Sequence, residues 1–201
     1  MRHLHFGKLF FVVFSLLLAY TVSARKPIKT LLITGQNNHN WQVSHVVLKQ
    51  ILENSGRFDV DFVISPEQGK DMSGFVLDFS PYQLVVLDYN GDSWPEETNR
   101  RFLEYVQNGG GVVIYHAADN AFSKWPEFNR ICALGGWEGR NENSGPYVYW
   151  KDGKLVKDSS AGPGGSHGRQ HEYVLNGRDK VHPVVKGLPL KWRHAKDELY
   201  D

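Results

Sequence analysis

The chain has 201 residues, with 23 Lys and Arg against 22 Asp and Glu and a formal net charge of +1. That balance, without a sustained basic block, argues against nucleic acid as a partner. The single cysteine, Cys132, excludes an intramolecular disulfide, so the fold must rest on its hydrophobic core.

In chain order, the first element is a leader. Arg2 and Lys8 precede an apolar run from Leu9 to Val22, and Val22-Ser23-Ala24 offers small residues at a cleavage site. The run is shorter than the roughly 20 apolar residues that span a bilayer. The segment 1–24 therefore reads as a signal peptide rather than an anchor, with no cysteine beside it for lipidation. The expected product is one soluble domain, 25–201, periplasmic or secreted, without membrane attachment after cleavage.

Leu31-Leu32-Ile33, closed by Gly35, predicts a short buried strand over 29–34. Val43, Val46, Val47, Ile51 and Leu52 recur at helical spacing after Asn40, a capping residue, and predict a helix whose apolar face is this set. A strand over 58–64 follows, then a fully apolar strand over 84–87 with Asp88 and Asn90 at its carboxyl end. Pro95-Glu96-Glu97 opens a second helix with Phe102, Leu103 and Val106 on its apolar face, and Gly109-Gly110-Gly111 ends it before a strand over 112–115. This alternation predicts an α/β fold, a doubly wound, mostly parallel sheet covered on both faces. Ligands of such sheets bind beyond the carboxyl ends of the strands.

Further on, Cys132 lies in an amphipathic segment and reads as a buried structural thiol. Tyr147-Val148-Tyr149-Trp150 reads as a strand, residues 159–168 as a Gly-, Ser- and Pro-rich loop or lid, and His182-Pro183 as a helix start.

The candidate chemistry sits where two strands end. The first supplies Gln36, Asn37, Asn38 and His39; the strand ending at Tyr115 supplies His116, Asp119 and Asn120. In one parallel sheet, His39 and His116 would open onto one crevice, as acid and base or as neutral metal ligands. Either histidine alone reads equally as a cap or a network member; the pair reads as functional. His167, His171, Glu172, His194, Asp197 and Glu198 form a second polar group. The His167/His171 spacing suits a metal only on a helix, which the neighbouring glycines oppose. No metal or other cofactor is expected. Trp41, Trp94, Trp125, Trp137 and Trp150 are mostly core candidates, but one or two at the crevice would suffice to stack on a sugar ring.

Thr34-Gly35 through His39, the run from Gly109 to Ala117, Gly135-Gly136-Trp137, His171-Glu172, His182-Pro183, Gly187-Leu188-Pro189 and Asp197-Glu198-Leu199-Tyr200 together resemble the ThuA-like, trehalose-utilisation family over residues 29–201. The resemblance implies a flavodoxin-like sheet similar to that of class I glutamine amidotransferases. It does not imply their reaction, because His116 stands where those enzymes carry a nucleophilic cysteine. Relatives continue past the Asp-Glu-Leu-Tyr segment, so the resemblance implies a C-terminally truncated domain lacking one or more strands.

The family context points to an exported protein acting on a small carbohydrate, a keto sugar or glycoside, by histidine acid/base chemistry. Enolisation beside the carbonyl needs a base and donors for the enolate oxygen. The catalytic candidates are His39, His116 and Asn120, with His116 as base. The substrate-binding candidates are Asn38, Asp119, Trp125, His171, Asp197 and Glu198. Two alternatives stand beside this reading: a non-catalytic sugar-binding or interaction domain, and a metal-dependent hydrolase using His39, His116 and His171.

Overall fold

The structure, a computed structural model, describes residues 26–133, 135, 140–164 and 166–200. The leader and Trp137 lie outside them. Four parallel strands, β1 (Ile28–Thr34), β2 (Phe58–Ile64), β3 (Leu84–Leu87) and β4 (Gly111–Ile114), form one sheet in the order β2-β1-β3-β4. The chain moves from β1 outward to β2 and then returns to the other side of β1. The topological switch point of this flavodoxin-like order therefore falls between β1 and β3.

Alternation along β1 divides the core. Leu31 and Ile33, with Val85 and Leu87 of β3, face a large aromatic cluster. The cluster includes Phe102 of α2 (Glu96–Gln107) and Phe128 of α3 (Pro126–Cys132), both fully buried, with Trp94 and Phe122 edge-on to each other at 4.8 Å. Thr98 ties α2 to the loop beneath it: its hydroxyl donates to Phe75 O at 2.7 Å and accepts from Leu77 N at 3.3 Å. Cys132 packs against this cluster, and burial, then the charge of Asp119, pushes its thiol up to about 12. It is the structural thiol the sequence predicts.

On the opposite face, Leu32, Val60 and Val86 form a smaller core under α1 (Trp41–Asn54). Glu53 accepts from Lys49 Nζ at 2.6 Å and from Val60 N at 3.4 Å, and Lys49 also donates to Val60 O, which pins α1 over β2. This corrects the predicted apolar face of the helix. The sheet-facing residues are His45, Leu48 and Leu52, while Val43, Val46, Val47 and Ile51 are exposed, Ile51 to 62%. The reason is coverage. Because α1 lies over β1 and β2, Val113 on the same face of β4 is also left 45% exposed. The expectation of a sheet covered on both faces therefore holds fully for one face and partly for the other.

Beyond the sheet, a 3-10 turn covers His116–Asn120, and two antiparallel pairs follow: β5 (Tyr147–Lys151) with β6 (Lys154–Asp158), and β7 (His171–Asn176) with β8 (Lys191–Asp197). The helix predicted at His182-Pro183 is a set of turns instead. Val185 N donates to His182 O at 3.1 Å and Leu188 N to Val185 O at 3.0 Å, without a continuing ladder. Among the described residues, no helix is long and apolar enough to cross a membrane.

Gly35 ends β1 with φ +119°, and a Cβ there would lie 2.5 Å from Ser65 N. Gly35→Ala combines backbone strain with a clash against main chain, so it should cost at least about 1–3 kcal/mol. Gly56→Ala, at φ +67° in open space, should cost less. Urea unfolding of both variants checks this order, and an unchanged midpoint for Gly35→Ala contradicts it.

Candidate functional site

The site begins with a charge at the end of an apolar strand. Asp88 follows Leu84–Leu87 directly and is only 1% exposed. Its backbone N–H donates to Ile33 O at 2.9 Å, which continues the parallel ladder past the strand end. Two neighbouring segments serve its carboxylate. Asn37 Nδ2 donates to Oδ1 at 3.1 Å, and Ser44 Oγ on the first turn of α1 donates to Oδ2 at 2.5 Å. Burial raises the carboxyl above the usual aspartate range, opposed by the Ser44 bond and by positive charge on His45 and His39.

His39 is placed by a local turn. Its N–H donates to Asn37 Oδ1 at 2.9 Å, so Asn37 holds Asp88 with its nitrogen and the His39 backbone with its oxygen. His116 arrives from the other side, at the first position after Tyr115 that leaves the extended conformation. Its φ is +49°, a left-handed value that a non-glycine residue adopts only under constraint. Tyr115 N bonds to Leu87 O at 3.0 Å, so the extended ladder runs up to the residue before the turn. The turn brings the His116 ring to 4.5 Å from the His39 ring, centroid to centroid and inclined by 48°. The two histidines thus meet across the carboxyl end of β3, over Asp88. Both are exposed, whereas Asp88 is sealed.

Asn38 braces the rim: its N–H donates to Asn90 Oδ1 at 3.2 Å, and Asn90 Nδ2 donates back to Asn38 Oδ1 at 2.7 Å. Asn120 and Trp125 line an open groove beside the crevice rather than the histidine pair itself. Asp119 is half-buried between these features. Burial raises its carboxyl, opposed mainly by the charge of His116 and by the N–H groups of Asn120 and of Asp119 itself.

The remaining candidates lie on the β7–β8 pair. His171 stands opposite Asp197, and its Nδ1 is 3.0 Å from Arg169 O. Asp197 accepts from Glu198 N at 2.9 Å, and Glu198 accepts from Tyr200 OH at 2.8 Å and Gln170 Nε2 at 3.4 Å. His167 Nε2 lies 3.6 Å from Glu198. These residues form their own polar set, in which the hydrogen bond to Glu198 is the main cause that raises the Tyr200 hydroxyl. Among the described residues, no three His, Cys, Asp or Glu side chains converge as a metal-ligand set, so His171 does not join His39 and His116.

The residues that sequence reasoning left without a role are Asp88, Asn37, Ser44 and Asn90. Their signal was position: a carboxylate directly after four apolar residues, at the strand next to the switch point. A second cavity, of about 580 Å³, opens near the amino ends of β3 and β4 by Gln83 and Gly110. Its Arg100 and Arg101 are paired with Glu97 and Glu104, and it lies at the opposite end of the sheet from the histidines.

No curated protein matches the chain in sequence. Among solved structures, a protein from Bacteroides uniformis ATCC 8492 described as ThuA-like is similar with a TM-score of 0.54 and 20% sequence identity, over 88% of this chain and 62% of that one. The chain thus spans less than two thirds of that protein's length, and at this identity the likeness speaks for the α/β fold. Residues 29–201 match the family described as ThuA, trehalose utilisation, a description that ties it to carbohydrates. Matched over nearly its whole length, this chain belongs to the ThuA family.

Proposed function

We propose that the crevice over β3 performs acid/base chemistry on a keto sugar or a glycoside derived from one, and that the protein does so outside the cytoplasm after its leader is removed. The observation that carries this reading is the His39–His116 pair, 4.5 Å apart over the buried Asp88 at the carboxyl end of the sheet. The family's link to trehalose supplies the substrate class.

The step is an enolisation. One imidazole, His116, takes the proton on the carbon beside the carbonyl, and the electron pair of that C–H bond moves toward the carbonyl oxygen. The neighbouring His39 donates to the developing enolate oxygen, where a positioned donor is most effective. Reprotonation of the same or the adjacent carbon returns the ring nitrogen to its starting state, so the cycle needs no oxidant and no metal. Asn120 orients the sugar from the groove side. Asp88 acts through its neighbours: it fixes Asn37, which fixes the His39 backbone.

The test follows solvent deuterium entering a 3-keto disaccharide by NMR, at the carbons flanking the carbonyl. Exchange should be catalysed, and His116→Ala should slow it by about 10²–10⁴-fold. A well-folded protein that catalyses no exchange sinks the reading. Binding of the sugar that survives His116→Ala without any wild-type turnover would mark a binding domain instead.

Asp88 also predicts a pH dependence. Because its folded carboxyl titrates above the unfolded value of about 3.9, the native state holds the proton longer than the unfolded chain. Stability contributed by this residue is therefore greatest at low pH and is lost as pH rises through the window between the two values. Asp88→Asn does not titrate. Its stability relative to wild type should rise across that window and then level off, in urea titrations from pH 3.5 to 8. A difference independent of pH would mean that Asp88 titrates alike in both states.

A further inference from the structure

The sheet face under α1 is only half covered. Four strands about 4.8 Å apart span roughly 15–20 Å, and a helix about 10 Å wide covers about two of them. α1 lies over β1 and β2, so a trough about one helix wide remains on the β3–β4 side. Its floor is apolar. Val113 of β4 is 45% exposed, and Tyr115, two residues on and still extended, lies on the same face at 40%.

α1 is lopsided in the complementary way. Its two formally charged residues, Lys49 and Glu53, are bonded to each other and to Val60 of β2, so they occupy the β2 side of the helix. The rest of its outer surface carries Val43, Val46, Val47 and Ile51, which are 44–62% exposed. Spaced at i, i+3, i+4 and i+8, these four make one continuous ridge. Ser44 reaches Asp88 at the end of β3, and Ile51, two turns on from Ser44, therefore runs along the trough.

A ridge and a trough of the same width, side by side on one face, are complementary to a second copy of themselves. A two-fold axis sets the ridge of each copy into the trough of the other: Val43 and Val46 meet Val113 and Tyr115 of the second copy, and Val47 and Ile51 of the two helices lie side by side. At their exposures these six side chains present roughly 500 Å² per copy, so the pair buries about 1,000 Å², the size at which specific interfaces begin, before any polar rim is added. Closure strips water from no charged residue of the ridge, since Lys49 and Glu53 lie on its other flank.

We infer that the protein is a two-fold dimer in which α1 of each copy fills the β3–β4 trough of the other. The inference is independent of the acid/base reading. The interface ends beside the crevice, because the Tyr115 ring stands edge-on to that of His116 at 6.3 Å.

Sedimentation velocity of the full chain tests it, with Ile64→Asp as a control. Ile64 is exposed on the same sheet face but across α1, beside β2, and stays outside the interface. The wild type should sediment at twice the monomer mass over about 1–100 μM. Val47→Asp, Ile51→Lys and Val113→Asp should each weaken the dimer by at least about a hundredfold, and Ile64→Asp by less than about threefold. If Val113→Asp fails to melt cooperatively, the two helix variants decide, since both side chains are exposed in the single chain. A wild type that is monomeric throughout means that something other than a second copy covers this face, and overturns the inference. So does a dimer that survives Val47→Asp and Ile51→Lys, an assembly that grows past two copies with concentration, or an equal loss in Ile64→Asp, which would mark unspecific apolar association.

Discussion

The arrangement of the site depends on one buried charge. A carboxylate at the end of a central strand cannot be left unserved, since an unpaired buried ion costs several kcal/mol. Asp88 is served by Asn37, from the loop after β1, and by Ser44, from the first turn of α1. Each donor fixes more than itself. Asn37 passes the constraint to the His39 backbone, and Ser44 holds the start of α1 against the sheet at the end opposite to the Lys49 and Glu53 contacts with β2. The switch point between β1 and β3 is thus closed by polar bonds rather than by side-chain packing. That leaves the rim wet and the base of the crevice dry.

Constraint from the other side comes through the backbone. The β3–β4 ladder runs in register through Leu87↔Ile114, and the Tyr115 N–H bonds to Leu87 O before the chain enters the left-handed region at His116. Gly35 and His116 therefore play comparable parts at their strand ends. Both take positive φ, but glycine does so at little steric cost whereas His116 does not. Strain of this kind persists where the surroundings over-determine it, and it fits a side chain that must be presented to a ligand rather than relaxed into the core. Phe122, Ala133 and Asp152 also take positive φ, but His116 is the one of the four whose ring lies 4.5 Å from that of His39.

What the sequence made legible follows from which forces are local. Apolar runs located β3 at its observed limits and β1 and β4 within one residue, because the central strands β1 and β3 are largely buried and leave little room for polar side chains; β2, where Asp59 and Asp61 alternate with apolar residues at the edge of the sheet, was located at its limits too. The polar residues at the strand ends could be read as a cluster because parallel topology puts carboxyl ends on one side. The face of α1 was misread for the converse reason. Val43, Val47 and Ile51 at four-residue spacing show that a stripe is apolar, not that a neighbour lies against it, and α1 spans too few strands to bury it. Coverage is a tertiary fact. The role of Asp88 was hidden in the same way, since an aspartate after a strand reads as a turn residue until its two donors, 44 and 51 positions away along the chain, are brought beside it. His171, Asp197 and Glu198 carry the same lesson: the motifs were recognisable, but their hydrogen-bond partners are local ones, Arg169, Gln170, Tyr200 and the Glu198 backbone, rather than groups of the crevice.

In the proposed reading the histidine crevice supplies chemistry but little binding surface. The crevice contains the groups able to move a proton, and these are few and exposed. Affinity must then come from elsewhere, because two imidazoles at a wet rim bury little area. Phe122 and Trp125 supply apolar surface that is already packed against Phe102 and Phe128, so presenting it to a ligand costs little further ordering. Asn38 and Asn90, bonded to each other in both directions, form the boundary between the two regions. In the proposed reading, apolar contacts near the crevice would serve orientation at the histidines, which is how remote contacts come to favour a reaction rather than mere occupancy.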